Sequence, residues 1–314
     1  MIDILAIGEL LIDFTPVKTK EGLCFKPNPG GAPCNMLAMA QSMGAKTAFI
    51  GKVGHDQFGI TLKETLMKSK INVEGLILSD EVPTTLAFVH LTDAGDRSFS
   101  FYRKGCADVM LEESDINYKL IDEAQLIHFG SLSFTDEPSK SSVEKAIAYA
   151  KKKGKLISYD PNYRPALWHS ETEALTGMKI GLKYADMIKV SDEEAELLTG
   201  EKNPKKAARI LFDMGISLIT ITLGEAGVYY LHESGSGTIK GFKSQVIDTT
   251  GAGDSFFGAV IAQIMQSGYD TLTHEKLQEI LTIGNAAASI VIEGLGGIPS
   301  IPSKEKVLER IIKS

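Results

Sequence analysis

Residues 248–254 join two glycines to a carboxylate directly before an apolar run. Gly251 and Gly253 flank Ala252, so the backbone can turn tightly and bring its N–H groups close to another molecule. The apolar residues that follow Asp254 occupy every face, which predicts a buried helix beginning near Asp254. Because a helix N-terminus favours anions, the stretch suggests that the turn holds a phosphoryl group while Asp254 takes up a proton.

The same stretch also has a purely structural interpretation. Aspartate is a favoured N-cap residue, and glycine before a helix is ordinary turn chemistry. Taken by itself, the pattern favours capping by Asp254, and a catalytic assignment needs support from the rest of the chain.

A second glycine pair, Gly30 and Gly31, opens another predicted helix, which ends at Gly44. Pro33 is tolerated in a first helical turn, and the glycines again leave backbone N–H groups accessible to a ligand. Asn35 would face the same opening, where its side chain can both donate and accept hydrogen bonds.

Two isolated charges are further candidates. Asp13 stands between Ile12 and Phe14 in an apolar strand, where it either faces outward on a sheet edge or accepts hydrogen bonds from sugar hydroxyls. From these residues alone, the outward position is the simpler interpretation. Arg103 lies at the end of a predicted hairpin, where it either reaches a ligand oxygen or is solvated.

Polar residues and glycines also follow several predicted strands. Residues 160–164 and 191–194 end successive strands, although Ser191 and Glu194 also have the spacing of a capping box. Residues 222–227 suit either a hairpin turn or a nucleotide, and residues 285–288 are small enough for a flat ring to pack against them. Ligands of parallel sheets bind beyond the carboxyl ends of the strands, which is where these residues are expected.

Alternating elements are predicted to position these groups. Between residues 125 and 222, strands alternate with helices, the pattern of a parallel sheet covered on both faces. A hairpin of residues 84–92 and 97–102, with its turn at residues 93–96, has no helix partner and predicts a lid or an oligomer surface. We find no repeat or linker, so one α/β domain is expected.

Composition limits the remaining possibilities. The 314 residues are 43% hydrophobic and 23% charged, and a net charge of -7 argues against nucleic acid and anionic membranes as partners. Three cysteines without paired spacing predict neither a disulfide framework nor a zinc site. Asp3 and Glu9 interrupt the first apolar run, it lacks a basic leader, and no apolar stretch reaches about 20 residues. We therefore expect a cytoplasmic protein.

With these motifs in this order, the chain resembles the ribokinase-like (PfkB) carbohydrate kinases over essentially its whole length. The most specific segments are residues 30–35 with 51–56 near the N-terminus and residues 248–254 near the C-terminus. Residues 8–14 and 160–168 are similar to the fructokinase branch in particular. The resemblance reverses the preference for capping at Asp254.

The resemblance implies a role for each candidate residue. Asp254 would be the base that deprotonates the primary hydroxyl of a sugar. The residues implied to form the anion hole are Gly251, Ala252 and Gly253. The residues implied to hold the sugar are Asp13, Gly31, Asn35 and Arg103, with Asn162 and Arg164 near the phosphates and the acceptor. The residues implied to surround ATP are Thr222, Gly224, Gly227 and Asn285.

Metal positions are implied as well. Asp248 and Thr250 match a loop that binds a monovalent cation, K⁺ in this interpretation, through backbone carbonyls. Glu194 is implied to order water bound to Mg²⁺. The family often has Asn-x-x-Glu where this chain has Ser191 and Glu194, which leaves Ser191 with its capping role.

The implied fold is a three-layer α/β/α arrangement with a mainly parallel sheet and a small β-sheet lid around residues 14–30 and 85–105. The implied reaction transfers the γ-phosphoryl group of ATP to the 6-hydroxyl of fructose, and the lid implies a homodimer. One alternative is a 2-keto-3-deoxygluconate kinase, in which Arg103 and Arg164 would clamp the substrate carboxylate. A second alternative is a sugar-binding sensor that has kept the fold without turnover.

Overall fold

Strands of two separate sheets form the frame of the molecule. The computed structural model describes residues 1–20, 22–91 and 97–313. The strands in these ranges are β1 (Ile2–Ile7), β2 (Leu11–Thr19), β3 (Gly22–Gly30), β4 (Thr47–Gly54), β5 (Asn72–Ser79), β6 (Leu86–Leu91), β7 (Arg97–Tyr102), β8 (Ala124–Gly130), β9 (Leu156–Asp160), β10 (Met187–Ser191), β11 (Leu218–Thr222), β12 (Val228–His232) and β13 (Gly235–Ile239).

The larger sheet is mainly parallel, as the alternation of elements predicts. Its nine strands within the described ranges follow the order β13-β12-β11-β10-β9-β8-β1-β4-β5, and the antiparallel pairs are β11 with β12 and β12 with β13. Strand β1 is apolar along its whole length except for Asp3, because both of its faces are buried. Ile4 and Ala6 contribute to one core, while Leu5 and Ile7 contribute to the other.

Helices cover both faces of this sheet and complete the three layers. They are α1 (Ala32–Ser42), α2 (Gln57–Lys68), α3 (Tyr118–Glu123), α4 (Ser139–Lys152), α5 (Glu171–Leu182), α6 (Asp192–Thr199), α7 (Pro204–Asp213), α8 (Ala252–Ser267), α9 (His274–Val291) and α10 (Lys304–Ile312). Helices α1, α2, α8, α9 and α10 pack into the core that contains Ile4 and Ala6. Helices α3 to α7 pack into the core that contains Leu5 and Ile7. None of the helices in the described ranges combines the length and the apolar character needed to cross a bilayer.

The smaller sheet is the predicted lid. Its described strands follow the order β3-β2-β6-β7, and β6 and β7 form the antiparallel hairpin expected from the sequence. The predicted turn of that hairpin, at residues 93–96, lies outside the described residues.

Strand β3 is an element that local sequence patterns do not predict. It contains Pro27 and Pro29 and reads as an irregular segment, yet it pairs with β2 from Leu11 opposite Gly30 to Thr19 opposite Gly22. The prolines are tolerated because β3 is an edge strand, on which a missing N–H donor need not break a ladder. Strands β5 and β13 are likewise absent from the sequence-based prediction.

Close packing of α1 against α8 brings the two glycine motifs together. Gly258 lies in α8, and a Cβ at this position would collide with the carbonyl oxygen of Met36 in α1. The absence of a side chain therefore lets the two helix backbones approach closely. As a result, the N-terminal turns of both helices open into the same region, between the main sheet and the lid.

Candidate active site

A cavity of about 1020 Å³ lies between the lid and the carboxyl ends of the main-sheet strands. Its lid wall includes Asp13 on β2 and Phe101 on β7. Its floor includes residues that follow β1, β9 and β10 and the first turns of α1 and α8. Parallel sheets bind ligands at this edge, as the sequence led us to expect. The predicted site residues that line the cavity are Asp13, Gly31, Asn35, Arg103, Asn162, Arg164, Glu194, Thr250, Gly251, Ala252, Gly253 and Asp254.

Asp254 lies in the first turn of α8 and is held by two amides. Asn35 Nδ2 donates to Oδ2 at 2.9 Å, and Asn162 Nδ2 donates to Oδ1 at 3.0 Å. The capping interpretation of Asp254 is wrong, because Gly251 is the N-cap of this helix, with a left-handed φ of 77°. Glycine adopts this conformation without the steric penalty of a Cβ, so the carboxylate is left to face the cavity.

Burial gives the carboxylate of Asp254 an unusual proton affinity. The side chain is 6% exposed. Desolvation and the charge of Asp160 raise its pKa to about 6, although the ammonium of Lys189 and the hydrogen bond from Asn35 act in the opposite direction. A carboxylate with this pKa is ionised at neutral pH and accepts a proton more readily than an ordinary aspartate.

The turn before Asp254 has the backbone geometry expected of an anion site. The residues of the turn that line the cavity are Gly251, Ala252 and Gly253, and they begin a helix of 16 residues whose N-terminus carries partial positive charge. A side chain at either glycine would be crowded by its neighbours. A Cβ at Gly251 would lie 2.9 Å from the Cα of Gly297, and a Cβ at Gly253 would lie 2.8 Å from Lys189 Nζ.

The structure gives Asn35 and Asn162 a role that the sequence does not predict, because both orient Asp254. Asn35 Oδ1 is buried beside Gly297 and has no hydrogen-bond partner among the described residues. Asn162 adopts a left-handed φ of 50°, which asparagine tolerates better than most residues. Gly31 supports Asn35 as the N-cap of α1, and a Cβ there would lie 2.5 Å from the carbonyl oxygen of Glu9.

Asp13 and Arg103 both line the cavity. The structure therefore argues against an outward-facing Asp13 on a sheet edge and against a solvated Arg103. Asp13 lies on β2, an inner strand of the lid sheet, so the edge position is wrong. Burial raises its pKa to about 7, with Asp248 and Asp254 acting in the same direction and Arg164 in the opposite one.

Arg103 is only 5% exposed, so the solvated position is wrong as well. It donates to Asp108 at 2.6 Å, to Thr135 Oγ1 at 2.7 Å and to the Leu132 carbonyl at 2.8 Å. Its charge is therefore paired within the protein. Arg164 donates to the Tyr163 carbonyl and faces the same cavity.

The predicted metal residues are largely engaged by backbone groups. Ser191 and Glu194 form the predicted capping box, in which Glu194 Oε2 accepts from the Ser191 N–H at 2.7 Å. Glu194 Oε1 accepts from Tyr163 N–H at 2.6 Å. Asp248 accepts from the N–H groups of Thr250 at 2.8 Å and Gly296 at 2.9 Å, so it shapes the loop before α8.

The predicted nucleotide residues are not among the described residues that line the cavity. Thr222 ends β11 directly beside Ser191, which does line it. Gly224 and Gly227 have φ values of 56° and 101° in the turn between β11 and β12, so the hairpin interpretation of these glycines is confirmed. Asn285 donates to the carbonyls of Ile239 and Lys240, which ties α9 to the end of β13.

Comparison with known families decides which family the chain belongs to. The model of the pfkB family carbohydrate kinases matches residues 1–304. The chain belongs to the pfkB family of carbohydrate kinases.

Named relatives and solved structures agree with this assignment. Fructokinase-2 of Oryza sativa subsp. japonica is 40% identical to this kinase over 318 residues, which cover 99% of this chain and 94% of the relative. The crystal structure of a Xylella fastidiosa fructokinase with bound ATP superposes with a TM-score of 0.91 at 26% identity, covering 99% of this chain and 98% of that one. A double mutant of the Vibrio cholerae O395 fructokinase, solved with fructose, ADP and potassium ion, gives a TM-score of 0.89 at 27% identity and 98% coverage of both chains. These neighbours confirm the ribokinase-like fold.

Two buried charges of the kinase site are missing from the sequence-based prediction. Lys189 lies within the apolar strand β10 and binds both carboxylate oxygens of Asp160, at 3.0 and 2.8 Å. Glu9 follows β1, accepts from the Ala32 N–H at 3.0 Å and has a pKa raised to about 7 by burial. The sequence feature that could have identified Lys189 is a single charge inside an apolar strand. The feature that could have identified Glu9 is its position directly after a buried strand.

The backbone at Asn162 provides a test of this geometry. We expect the Asn162→Gly variant to be about 1 kcal/mol more stable than Asn162→Ala, because only glycine adopts φ near 50° without strain. Both variants lose the hydrogen bond to Asp254, so the comparison isolates the backbone. Urea unfolding of the two variants measures the difference. An alanine variant that is equally stable or more stable would show that the left-handed conformation is not required.

Proposed function

We propose that this kinase transfers the γ-phosphoryl group of ATP to the 6-hydroxyl of D-fructose, giving fructose 6-phosphate and ADP. The proposal is carried by one observation: a carboxylate, Asp254, is fixed by two amides at a helix N-terminus that faces a lid-covered cavity. The similarity to proteins named fructokinase supports fructose as the sugar.

In the proposed mechanism, Asp254 accepts the proton of the attacking hydroxyl. Asn35 and Asn162 hold the carboxylate so that its free lone pairs face the cavity. Asp13 accepts hydrogen bonds from the other hydroxyls of the sugar. The first turn of α8 provides backbone N–H groups and a positive dipole end where negative charge develops on the phosphoryl group. Such a transfer depends chiefly on positioning and charge stabilisation.

We assign the nucleotide to the region that extends from the first turn of α8 towards Thr222, Gly224, Gly227 and Asn285. Gly224 leaves the hairpin backbone uncovered there, since nothing lies within 4 Å of a Cβ placed on it, whereas a Cβ on Gly227 would collide with the carbonyl oxygen of Ile239. Glu194 lines the cavity and is the carboxylate that would contribute to a nucleotide-bound Mg²⁺. Mg²⁺ is typically held by phosphates, waters and one or two carboxylates, and it would neutralise charge on the phosphates. Glu194 would act through a metal-bound water.

A potassium site is proposed at the loop before α8. Asp248 fixes this loop through the N–H groups of Thr250 and Gly296, which leaves backbone carbonyls as the oxygen donors that a hard cation prefers. The potassium ion in the Vibrio cholerae structure supports this proposal.

The 2-keto-3-deoxygluconate alternative is weakened by Arg103. A clamp on a substrate carboxylate would require this guanidinium to leave Asp108, with which it forms a buried ion pair. Arg164 by itself offers a weaker site for an acid. The sensor alternative is weakened by the retention of Asp254 together with its two amide partners.

A substrate panel tests the proposed sugar. We expect ADP release with fructose to exceed that with 2-keto-3-deoxygluconate, ribose or adenosine, because the cavity pairs its buried arginine internally and presents oxygen acceptors to a neutral sugar. A coupled ADP assay measures kcat/KM for each compound. Preference for the acid would contradict the fructose assignment, and fructose binding without ADP release would support the sensor.

Replacement of the proposed base tests the mechanism. We expect Asp254→Asn to lower kcat by roughly a hundredfold to ten-thousandfold, because the amide cannot take up the proton. In the parent enzyme, kcat/KM should fall below pH 6, since the raised pKa of about 6 leaves Asp254 protonated there. The matched control is Asp213→Asn, which changes an exposed carboxylate at the end of α7. Near-parent turnover in Asp254→Asn would remove Asp254 from the mechanism.

We further propose a homodimer formed through the lid. The face of the lid sheet opposite the cavity is aromatic: Phe14 stacks on Phe88 at 4.6 Å, and Phe25 and Tyr102 meet Phe88 edge-on. Tyr102 is 65% exposed and Leu23 is 63% exposed. Exposed apolar groups on one face of a sheet are typical of an interaction surface.

Sedimentation tests the dimer. We expect the parent chain to sediment at twice its mass of 34.0 kDa. The Tyr102→Asp variant should sediment as a monomer, because it places a charge in the proposed interface. Met214→Asp, at the end of α7, is the control, since Met214 is also exposed but lies away from the lid. A monomeric parent would contradict the proposed interface.

We also propose a cytoplasmic location, which is supported by the three free thiols Cys24, Cys34 and Cys106. Fractionation of cells that express the chain tests this location, and recovery from a secreted or membrane fraction would contradict it.

A further inference from the structure

Lys189 and Asp160 form a buried ion pair beside the proposed base. Asp160 ends β9 and Lys189 lies within the neighbouring strand β10, and their side chains are 3% and 7% exposed. Two charges removed from water cost more than a well-packed apolar pair of similar volume. Stability alone therefore does not explain this buried pair.

The ammonium group lies directly under the first turn of α8. A Cβ built on Gly253 would be 2.8 Å from Lys189 Nζ and 3.1 Å from Cε, so the lysine occupies the space that a side chain would fill. Lys189 also lines the cavity. The positive charge is therefore placed behind the proposed anion hole and next to Asp254.

The carboxylate partner is connected to the same base. Asp160 Oδ1 accepts from the N–H of Asn162 at 3.1 Å, and the side chain of Asn162 donates to Asp254 at 3.0 Å. The two charges of the pair act on Asp254 with opposite signs: Asp160 raises its pKa and Lys189 lowers it.

We propose that Lys189 is a positioning residue of the phosphoryl-transfer site, whose ammonium, held by Asp160 under Gly253, keeps Asp254 ionised and offsets the negative charge that arrives at the helix N-terminus. This inference rests on the proposed role of Asp254 as the base. Asp160 in turn prevents the ammonium from lowering the basicity of Asp254 so far that it no longer accepts a proton. The two members of the pair thus act in opposite directions on the proton affinity of Asp254.

Other charged groups also act on Asp254 and have to stay constant in the test. Arg164, in the segment after β9, lowers the pKa of Asp254. Asp13 on β2 interacts with Asp254 and with Asp248 in the loop before α8. Glu194 in α6 acts on Lys189. None of these four is changed in the variants below.

Two single substitutions provide the test, each of which replaces a charged side chain by a neutral one of similar size. In Lys189→Met, the midpoint of the acid limb of kcat/KM should move to higher pH, because Asp254 loses a neighbouring positive charge. In Asp160→Asn, the midpoint should move to lower pH, because Asp254 loses a neighbouring negative charge. We also expect kcat in Lys189→Met to fall roughly a hundredfold, the scale typical of a lost charge-stabilising group. A merely structural role would lower the activity of both variants without opposite shifts.

The double variant Lys189→Met/Asp160→Asn guards against misfolding, because it leaves neither charge buried without a partner. Its midpoint should return close to that of the parent, while kcat stays low. Lys151→Met is the matched control, since it breaks the exposed Lys151–Asp186 pair outside the cavity and should keep the parent profile. Shifts in the same direction, or none, in the two single variants would overturn the proposal.

A readout that does not require turnover separates this proposal from the proposed function. The carboxyl ¹³C signal of Asp254 in labelled protein, assigned by its loss in Asp254→Asn, reports protonation directly. It should titrate at higher pH in Lys189→Met and at lower pH in Asp160→Asn. If Asp254→Asn remains active, the catalytic assignment fails while the ¹³C titration still measures the effect of the pair. If Asp254→Asn is inactive and the ¹³C midpoints do not move, the pair has no such role.

Discussion

The two hydrogen bonds that hold Asp254 are the constraint on which the site depends. One comes from Asn35 in the first helix and the other from Asn162 after β9, so the carboxylate is oriented only when both elements keep their places around α8. The bond from Asn35 joins residues 219 positions apart. It forms because Gly258 lets α8 approach the backbone of α1 at Met36. The packing distance between α1 and α8 therefore determines how the carboxylate of Asp254 is oriented.

Burial gives this site both its reactivity and its energetic cost. Asp254, Asp160 and Lys189 are all buried, and isolated charges in such surroundings are unfavourable. Lys189 and Asp160 compensate each other's charge, since the ammonium binds both carboxylate oxygens. The same desolvation raises the pKa of Asp254 to about 6, which suits a base that works near neutral pH. Apolar residues in place of Lys189 and Asp160 could make the protein more stable, but the charges that act on Asp254 would be lost.

The sequence predicts those parts of the molecule that local physics determines. Alternating elements indicate the parallel sheet, the hairpin without a helix indicates the lid, and the glycines near Asp254 indicate a helix that begins beside a carboxylate. Local sequence patterns miss strand β3, which only the family resemblance includes in the lid, because its prolines disfavour a strand and its register is imposed by β2. The ion pair between Lys189 and Asp160 escapes for a related reason: spacing along the chain does not encode which residues meet across neighbouring strands. The predicted roles in sugar and nucleotide binding remain predictions.

Strand β2 joins the cavity to the outer surface of the lid. Successive residues of a strand point to opposite faces, so Asp13 lines the cavity while Phe14 stacks on Phe88 on the other side. Because β2 is paired with both β3 and β6, neither face can shift without moving the sheet as a whole. The carboxylate proposed to hold the sugar and the aromatic face proposed to join two protomers are thus adjacent positions of one strand. Enclosure of the sugar and contact between protomers would therefore stabilise the same element, and loss of either would loosen the other.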